Sequence, residues 1–149
     1  MAADILDQIH TEHELVQNLF KEILQTSTGS VKTREKLFTE LKKNLIPHMK
    51  SEEELFYPLL KEHRHTKEMS LEALEEHHVA EMVLSELDRM APSDENWNAK
   101  IKVLSELIEH HIEEEESEVF KGARDIIPQK LEPLLNQFVE KENALKSQL

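Results

Sequence analysis

The chain has no cysteine. Disulfides and thiolate metal sites are therefore both excluded, and any bound metal must be held by imidazole and carboxylate. Glycine is nearly as scarce, with two among 149 residues. Together with few β-branched runs and an abundance of Leu, Glu and Lys, this argues for an all-α protein. Basic residues number 18 against 31 acidic ones, a formal charge of −13. Such a surface repels nucleic acid and anionic membranes and favours cations. No apolar stretch reaches membrane-spanning length, and the start, Met1-Ala2-Ala3-Asp4-Ile5-Leu6-Asp7, has neither the basic region nor the apolar run of a leader peptide. A soluble cytoplasmic protein is expected, one domain over residues 1–149 with a sizeable core.

What is present is a helical apolar stripe with two polar residues inside it. Leu37, Leu41, Leu45, Leu55 and Leu59 recur at helical spacing, and the places between them fall on His48 and Glu52. Burying these two unpartnered would cost on the order of several kcal/mol, so they need each other, another polar group or a metal ion. Four residues apart, they share one face of a helix. The construction recurs at an offset of 63 residues: Trp97, Ile101, Leu104, Ile108 and Val119 form a stripe interrupted by His111 and Glu115.

Taken in order, the periodicity predicts five helices. The first covers about 4–25 with Leu6, Ile9, Val16, Phe20 and Ile23 on one face and His13 in the vacant place; Thr26 to Ser30 ends it. The second covers about 31–62, with a kink expected just before His48 from Pro47 and a further disturbance at Pro58. The third covers about 66–90. Its stripe of Ala73, Leu74, Ala80, Leu84 and Leu87 includes His77, with His78 one position round as the alternative. Ser93 is the expected cap of a fourth helix over about 95–121, and Pro128 opens a last one over about 129–145, bearing Leu131, Leu134, Leu135, Phe138 and Leu145. His13 to His48 is 35 residues and His77 to His111 is 34, so each half supplies one lone His and one His-x-x-x-Glu. Two such hairpins related by a pseudo-two-fold make a four-helix bundle with six candidate ligands facing its axis.

Imidazole and carboxylate without thiolate suit iron, manganese or zinc; calcium and magnesium want mostly oxygen. Four His and two Glu exceed one tetrahedral zinc and suit two metals bridged by carboxylates. Imidazole-rich metals keep open positions for hydroxide, oxo or a small diatomic molecule. Ligand histidines must be deprotonated, so metal affinity is expected to fall below about pH 6.5.

These motifs resemble the hemerythrin-like, HHE cation-binding family: His13, then Ile46-Pro47-His48 through Glu52-Glu53 to Phe56-Tyr57-Pro58, then Glu76-His77-His78, then His111-Ile112-Glu113-Glu114-Glu115-Glu116. The resemblance covers about residues 4–121. It implies an antiparallel up-down four-helix bundle, here with an additional C-terminal helix, holding two non-haem iron ions with a bridging oxo or hydroxo group. The matching positions are His13, His48, Glu52, His77, His111 and Glu115, with the glutamates as bridges. Oxygen-carrying hemerythrins place two histidines a turn apart on the third helix, whereas one turn either side of His77 stand Ala73 and Glu81. A set poorer in histidine favours the ferric state, so oxygen or redox sensing, peroxide or nitric oxide handling and iron buffering stand beside oxygen binding. The partners implied are O2, H2O2 or NO, with the protein a monomer or weak homo-oligomer and no dedicated site for a larger substrate.

Glu53 and Glu116 suit partners of the ligand histidines, while Glu54, Glu113 and Glu114 read as solvated. His63 and His65 read as surface groups, His110 as a bystander, and Tyr57 as bundle wall, with lining of the route to the metals as its alternative; His10 and Glu81 are the further candidates for the site. A ferritin-like pattern would need Glu-x-x-His pairs, but Glu62/His65 and Glu75/His78 do not recur at the repeat offset. The other class open to the sequence is a metal-free or zinc-stabilised helical interaction module, with the His/Glu set as a buried polar network.

Overall fold

Asp4 starts the first helix. Its carboxylate accepts the N–H groups of Leu6 and Asp7, and Asp7 reaches back to the Asp4 N–H, so three backbone donors are satisfied and α1 spans Ile5–Leu24. The computed structural model describes residues 2–149. After α1 come α2 (Val31–Ser51), a π-helical turn (Glu52–Phe56), α3 (Tyr57–Lys61), α4 (Arg64–Asp88) and α5 (Trp97–Glu114). A second π-helical turn (Glu115–Val119), α6 (Phe120–Ile126), a short 3-10 turn (Pro128–Lys130) and α7 (Leu131–Lys146) complete the chain. The π-turns join α2 to α3 and α5 to α6, leaving five rods. α1 lies against α2 and α5, α4 against α5 and α3, and α7 packs across α2 and α1. No helix is long and apolar enough to cross a membrane among the described residues.

Pro47 does not break α2, and the irregularity follows His48 instead of preceding it. In each π-turn an N–H five residues on bonds the glutamate carbonyl, Tyr57 to Glu52 and Phe120 to Glu115. Proline is not the cause, because His110 and Lys121 occupy the positions that correspond to Pro47 and Pro58 in the second half. The extra residue in the turn shifts the following register by one. Phe56 and Leu60 are therefore buried where unbroken periodicity put Leu55 and Leu59.

Two boundaries also differ. The fourth rod runs through Gly122 to Ile126, because a Cβ at Gly122 would lie 2.7 Å from Thr66 Cγ2: the glycine permits a close approach to α4 and does not end the helix. Ser93 caps nothing; α5 begins at Trp97, and Asp94 Oδ1 accepts the Asn96 N–H at 2.8 Å. On α7, Leu131, Leu134 and Phe138 enter the core as expected, Leu135 is half-buried, and the next buried place on the stripe is Glu142.

The apolar interior has two parts, one around Phe20, Leu41, Leu84 and Trp97, the other around Ile9, Phe56, Phe120 and Phe138. The interrupting His and Glu residues lie between them. The first part is tied at its end by Arg34, 2% exposed, whose guanidinium donates to Thr26 Oγ1 (2.9 Å), Thr26 O (3.2 Å) and Pro92 O (2.6 Å) and sits 4.7 Å from the Trp97 ring centre. One cation thereby holds both loops at this end. Arg34→Ala is expected to cost about 3 kcal/mol, since it removes a buried cation's packing on Trp97 and strips charged donors from two half-buried loop carbonyls; a thermal melt unchanged from wild type would contradict this.

Candidate metal centre

The four rods of the bundle each contribute at mid-length. His13 (α1), His48 (α2), His77 (α4) and His111 (α5) are at most 5% exposed, and Glu52 and Glu115, first residues of the two π-turns, are fully buried. All six expected residues therefore converge. They form two overlapping sets, His13/His48/Glu52/Glu115 and Glu52/His77/His111/Glu115, each with donor atoms within 4.8 Å of one another. Both glutamates are common to both sets. Glu52 Oε1 lies 3.4 Å from His48 Nε2 and 3.2 Å from His77 Nε2; Glu115 lies 3.0 Å from His13 Nε2 and 3.4 Å from His111 Nε2. Of the two neighbouring histidines, His77 lies in the cluster and His78 is exposed. Glu81 is paired with Lys50 at 2.8 Å and His10 is half-exposed, so neither joins.

A second layer orients the imidazoles. Every Nδ1 meets a carboxylate: His13 with Glu116 (2.6 Å), His48 with Glu12 (2.7 Å), His77 with Glu53 (2.9 Å) and His111 with Glu76 (2.7 Å). A carboxylate offers only acceptors, so Nδ1 carries the proton and donates, and Nε2 turns its lone pair inward. Glu53 and Glu116 match the sequence expectation. Glu12 and Glu76 were hidden in it, although each directly precedes the lone His of its half and the pair obeys the same repeat, 64 residues apart. Tyr57 is packed in the bundle, fully buried, and its hydroxyl reaches the cluster by donating to Glu115 Oε2. Its counterpart in the second half is Phe120, so the hydroxyl makes the two sets unequal.

The donors fit a cation, and without one they lack partners. His13 Nε2, His48 Nε2, both oxygens of Glu52 and Glu115 Oε1 are buried with no hydrogen bond. His77 Nε2 and His111 Nε2 face each other at 3.2 Å, which sets two lone pairs in opposition unless a proton or metal stands between them. Protons take that role in the metal-free cluster. Burial would depress the His111 imidazolium, but the Glu115 and Glu76 carboxylates outweigh it and raise it to about 10. His13 is raised against its own burial by Glu115 and Glu116, whereas burial wins at His48 and lowers it. Burial likewise opposes the Glu115 charge, yet His111 and His13 hold that carboxyl well below its ordinary value. Glu52 is pushed well above by burial and by Glu115 beside it. Burial and the Glu115 charge also raise the Tyr57 phenol.

Outside this layer, α7 sets the Phe138 ring edge-on to His48 with centroids 6.2 Å apart and brings Glu142 to Glu12. Burial and the Glu12 charge push the Glu142 carboxyl to about 9, so it meets Glu12 as a proton donor. On another side, a void of about 10 Å³ is walled by His13, His48 and His111 together with Val16, Leu45 and Ile108.

A family model described as the hemerythrin HHE cation binding domain matches residues 4–123. A protein of Nostoc sp. named as a DNA nickase is 28% identical over 122 residues, 82% of this chain and 34% of that protein, so the chain spans about a third of that relative's length. Among solved structures, an HHE cation-binding domain-containing protein from Mycobacterium kansasii aligns with a TM-score of 0.84 over 99% of this chain and 90% of that one, at 21% identity. That likeness is one of fold.

Proposed function

Because this chain belongs to the hemerythrin HHE cation-binding domain family, we propose that its buried cluster holds two non-haem iron ions and presents them to dioxygen or a related small oxidant. The ligands in this reading are His13, His48, Glu52, His77, His111 and Glu115, with residues 1–149 forming one such domain and α7 its accessory helix. The observation that carries it is the inward set of buried donors with no partner. Glu52 and Glu115, each within reach of both histidine sets, are the shared ligands. Iron bound there supplies a redox couple and open coordination positions for O2, H2O2 or NO. The void beside three of the histidines is about the size of one small molecule and largely apolar, which suits an uncharged oxidant. Tyr57 holds a proton beside Glu115, one of the shared carboxylates.

Metal content and visible absorption of the anaerobically purified protein, before and after air, test this. About two irons per chain with ferric bands appearing in air is the expected result. Bands that fade on deoxygenation identify reversible oxygen binding, and bands that persist identify a sensing, peroxide- or NO-handling or iron-buffering role. Colourless, iron-free protein would overturn the reading in favour of a helical interaction module.

The raised His111 pKa alters the expected pH dependence. A group raised to about 10 is protonated below that value, so metal must displace its proton throughout the neutral range, well above the ordinary histidine value. Metal binding at pH 7 is expected to release at least about one proton per chain, with apparent affinity still rising with pH there. An indicator dye in weakly buffered solution measures this, and an absence of released protons would argue against histidine ligation.

A further inference from the structure

Glu76 has two neighbours, and only one belongs to the buried cluster. Its Oε1 accepts from His111 Nδ1 at 2.7 Å, while its Oε2 lies 3.7 Å from Nε2 of His110, which is 3.0 Å from Glu114 Oε1. Donor atoms of Glu76, His110 and Glu114 fall within 4.8 Å of one another. The trio grades inward, the side chains being 59% exposed at His110, 34% at Glu114 and 13% at Glu76. Beside it a narrow cleft of about 10 Å³, between α4 and the end of α5 with the π-turn that follows, is lined by Glu76 and Glu114, by Glu72 and Glu118, and by His111 and Glu115 of the buried cluster. Glu115 is fully buried, with its Oε2 3.4 Å from His111 Nε2 and its Oε1, which faces His13, without a hydrogen-bond partner.

We propose that Glu76, His110 and Glu114 form a docking site for an incoming divalent cation, and that the cleft beside them is its way into the buried cluster. This rests on the metal centre proposed above. A hydrated dication cannot cross an apolar wall intact; it must exchange waters for protein donors one at a time. One imidazole and two carboxylates can hold it weakly with waters still attached, and Glu76, already bonded to His111, links this outer position to one histidine of the inner cluster. The other backing carboxylates are less open to a cation. Glu53 lies 3.7 Å from the Lys50 ammonium, which repels one. Glu12 is covered by α7 through Glu142. Glu116 is engaged by both His13 and His10. The net charge of −13 raises the local cation concentration over the whole surface, and the Glu76 side joins a partly exposed mixed His/Glu set to a cleft that two residues of the inner cluster also line.

The test uses the full metal-free chain and Co2+ alone, whose visible absorption reports arrival among buried donors in a stopped-flow instrument. The outer residues His110 and Glu114 are replaced together, H110A with E114Q, leaving Glu76 in place; H10A is the control on the opposite side. Uptake by the double variant is expected to slow on the order of tenfold at low salt, with final stoichiometry and affinity unchanged and with a weaker dependence on ionic strength. H10A should load as wild type does. Wild-type rates in the double variant would overturn the route alone, as would slowing that appears only with lost final occupancy, or equal slowing in H10A. Failure of the wild-type chain to take up Co2+ would overturn the buried metal centre and this inference with it.

Discussion

Replacing His48 and His111 by alanine together is expected to reduce bound iron from about two per chain to almost none while the helices persist. His48 belongs only to the first set and His111 only to the second, so each set loses one of its two imidazoles. Removing a group that merely orients a ligand costs about 10–100-fold in metal affinity, and removing the ligand itself costs more. Two losses around one shared pair of carboxylates compound, because Glu52 and Glu115 must then hold both ions with less imidazole. The apolar clusters on either side do not depend on these two side chains, so far-ultraviolet circular dichroism should remain helical. Elemental analysis after gel filtration decides it: full iron retention in the double variant would sink the proposed ligand set.

Stripping metal from the wild-type chain is expected to lower its melting temperature by about 8–16 °C. A ligand that binds only the folded state, present at about a thousand times its Kd, adds about 4 kcal/mol. In a chain of this size each kcal/mol moves the midpoint by about 2–4 °C. Calorimetry of the loaded and chelated forms measures the difference, and identical midpoints would mean that the cluster is a self-sufficient polar network. The metal-free form should also show a narrow pH window. The depressed Glu115 pKa contributes stability that is present above the ordinary carboxyl value and lost as pH falls through the folded value. The raised His111 pKa contributes stability that is fully present below about 6.5 and lost as pH rises toward about 10. Both contributions are complete between about pH 4.5 and 6.5, and because the raised Glu52 and Glu142 carboxyls lose stability as pH rises from the ordinary carboxyl value, the metal-free protein is expected to be most stable at the acid end of that range, as thermal melts across pH would show.

Much of this was legible from spacing. Each of the four bundle stripes contains a histidine, two of them also a glutamate, and burial of such groups demands a reason; the structure buries all six. The repeat extends beyond these six residues. Followed one residue either side of the paired positions, it also contains the carboxylates that hold the histidines, Glu12 with Glu76 and Glu53 with Glu116. Periodicity alone could not assign them, because a glutamate on the flank of a helix looks the same whether it meets water or a neighbouring imidazole.

Composition and period by themselves determined the all-α class, the rods to within a few residues and the inward six, since those properties follow from helix propensity and from which side chains share a face. Tertiary structure alone decided which flank each helix turns to its neighbour. It coupled Glu76 to His111 and Glu142 to Glu12, placed His77 in the cluster with His78 exposed, and brought the Tyr57 hydroxyl to Glu115. It also decided that Gly122 is a point of close contact and that two π-turns shift the stripe by one residue, because a backbone hydrogen bond from Tyr57 to Glu52 or from Phe120 to Glu115 leaves no mark in the amino-acid pattern.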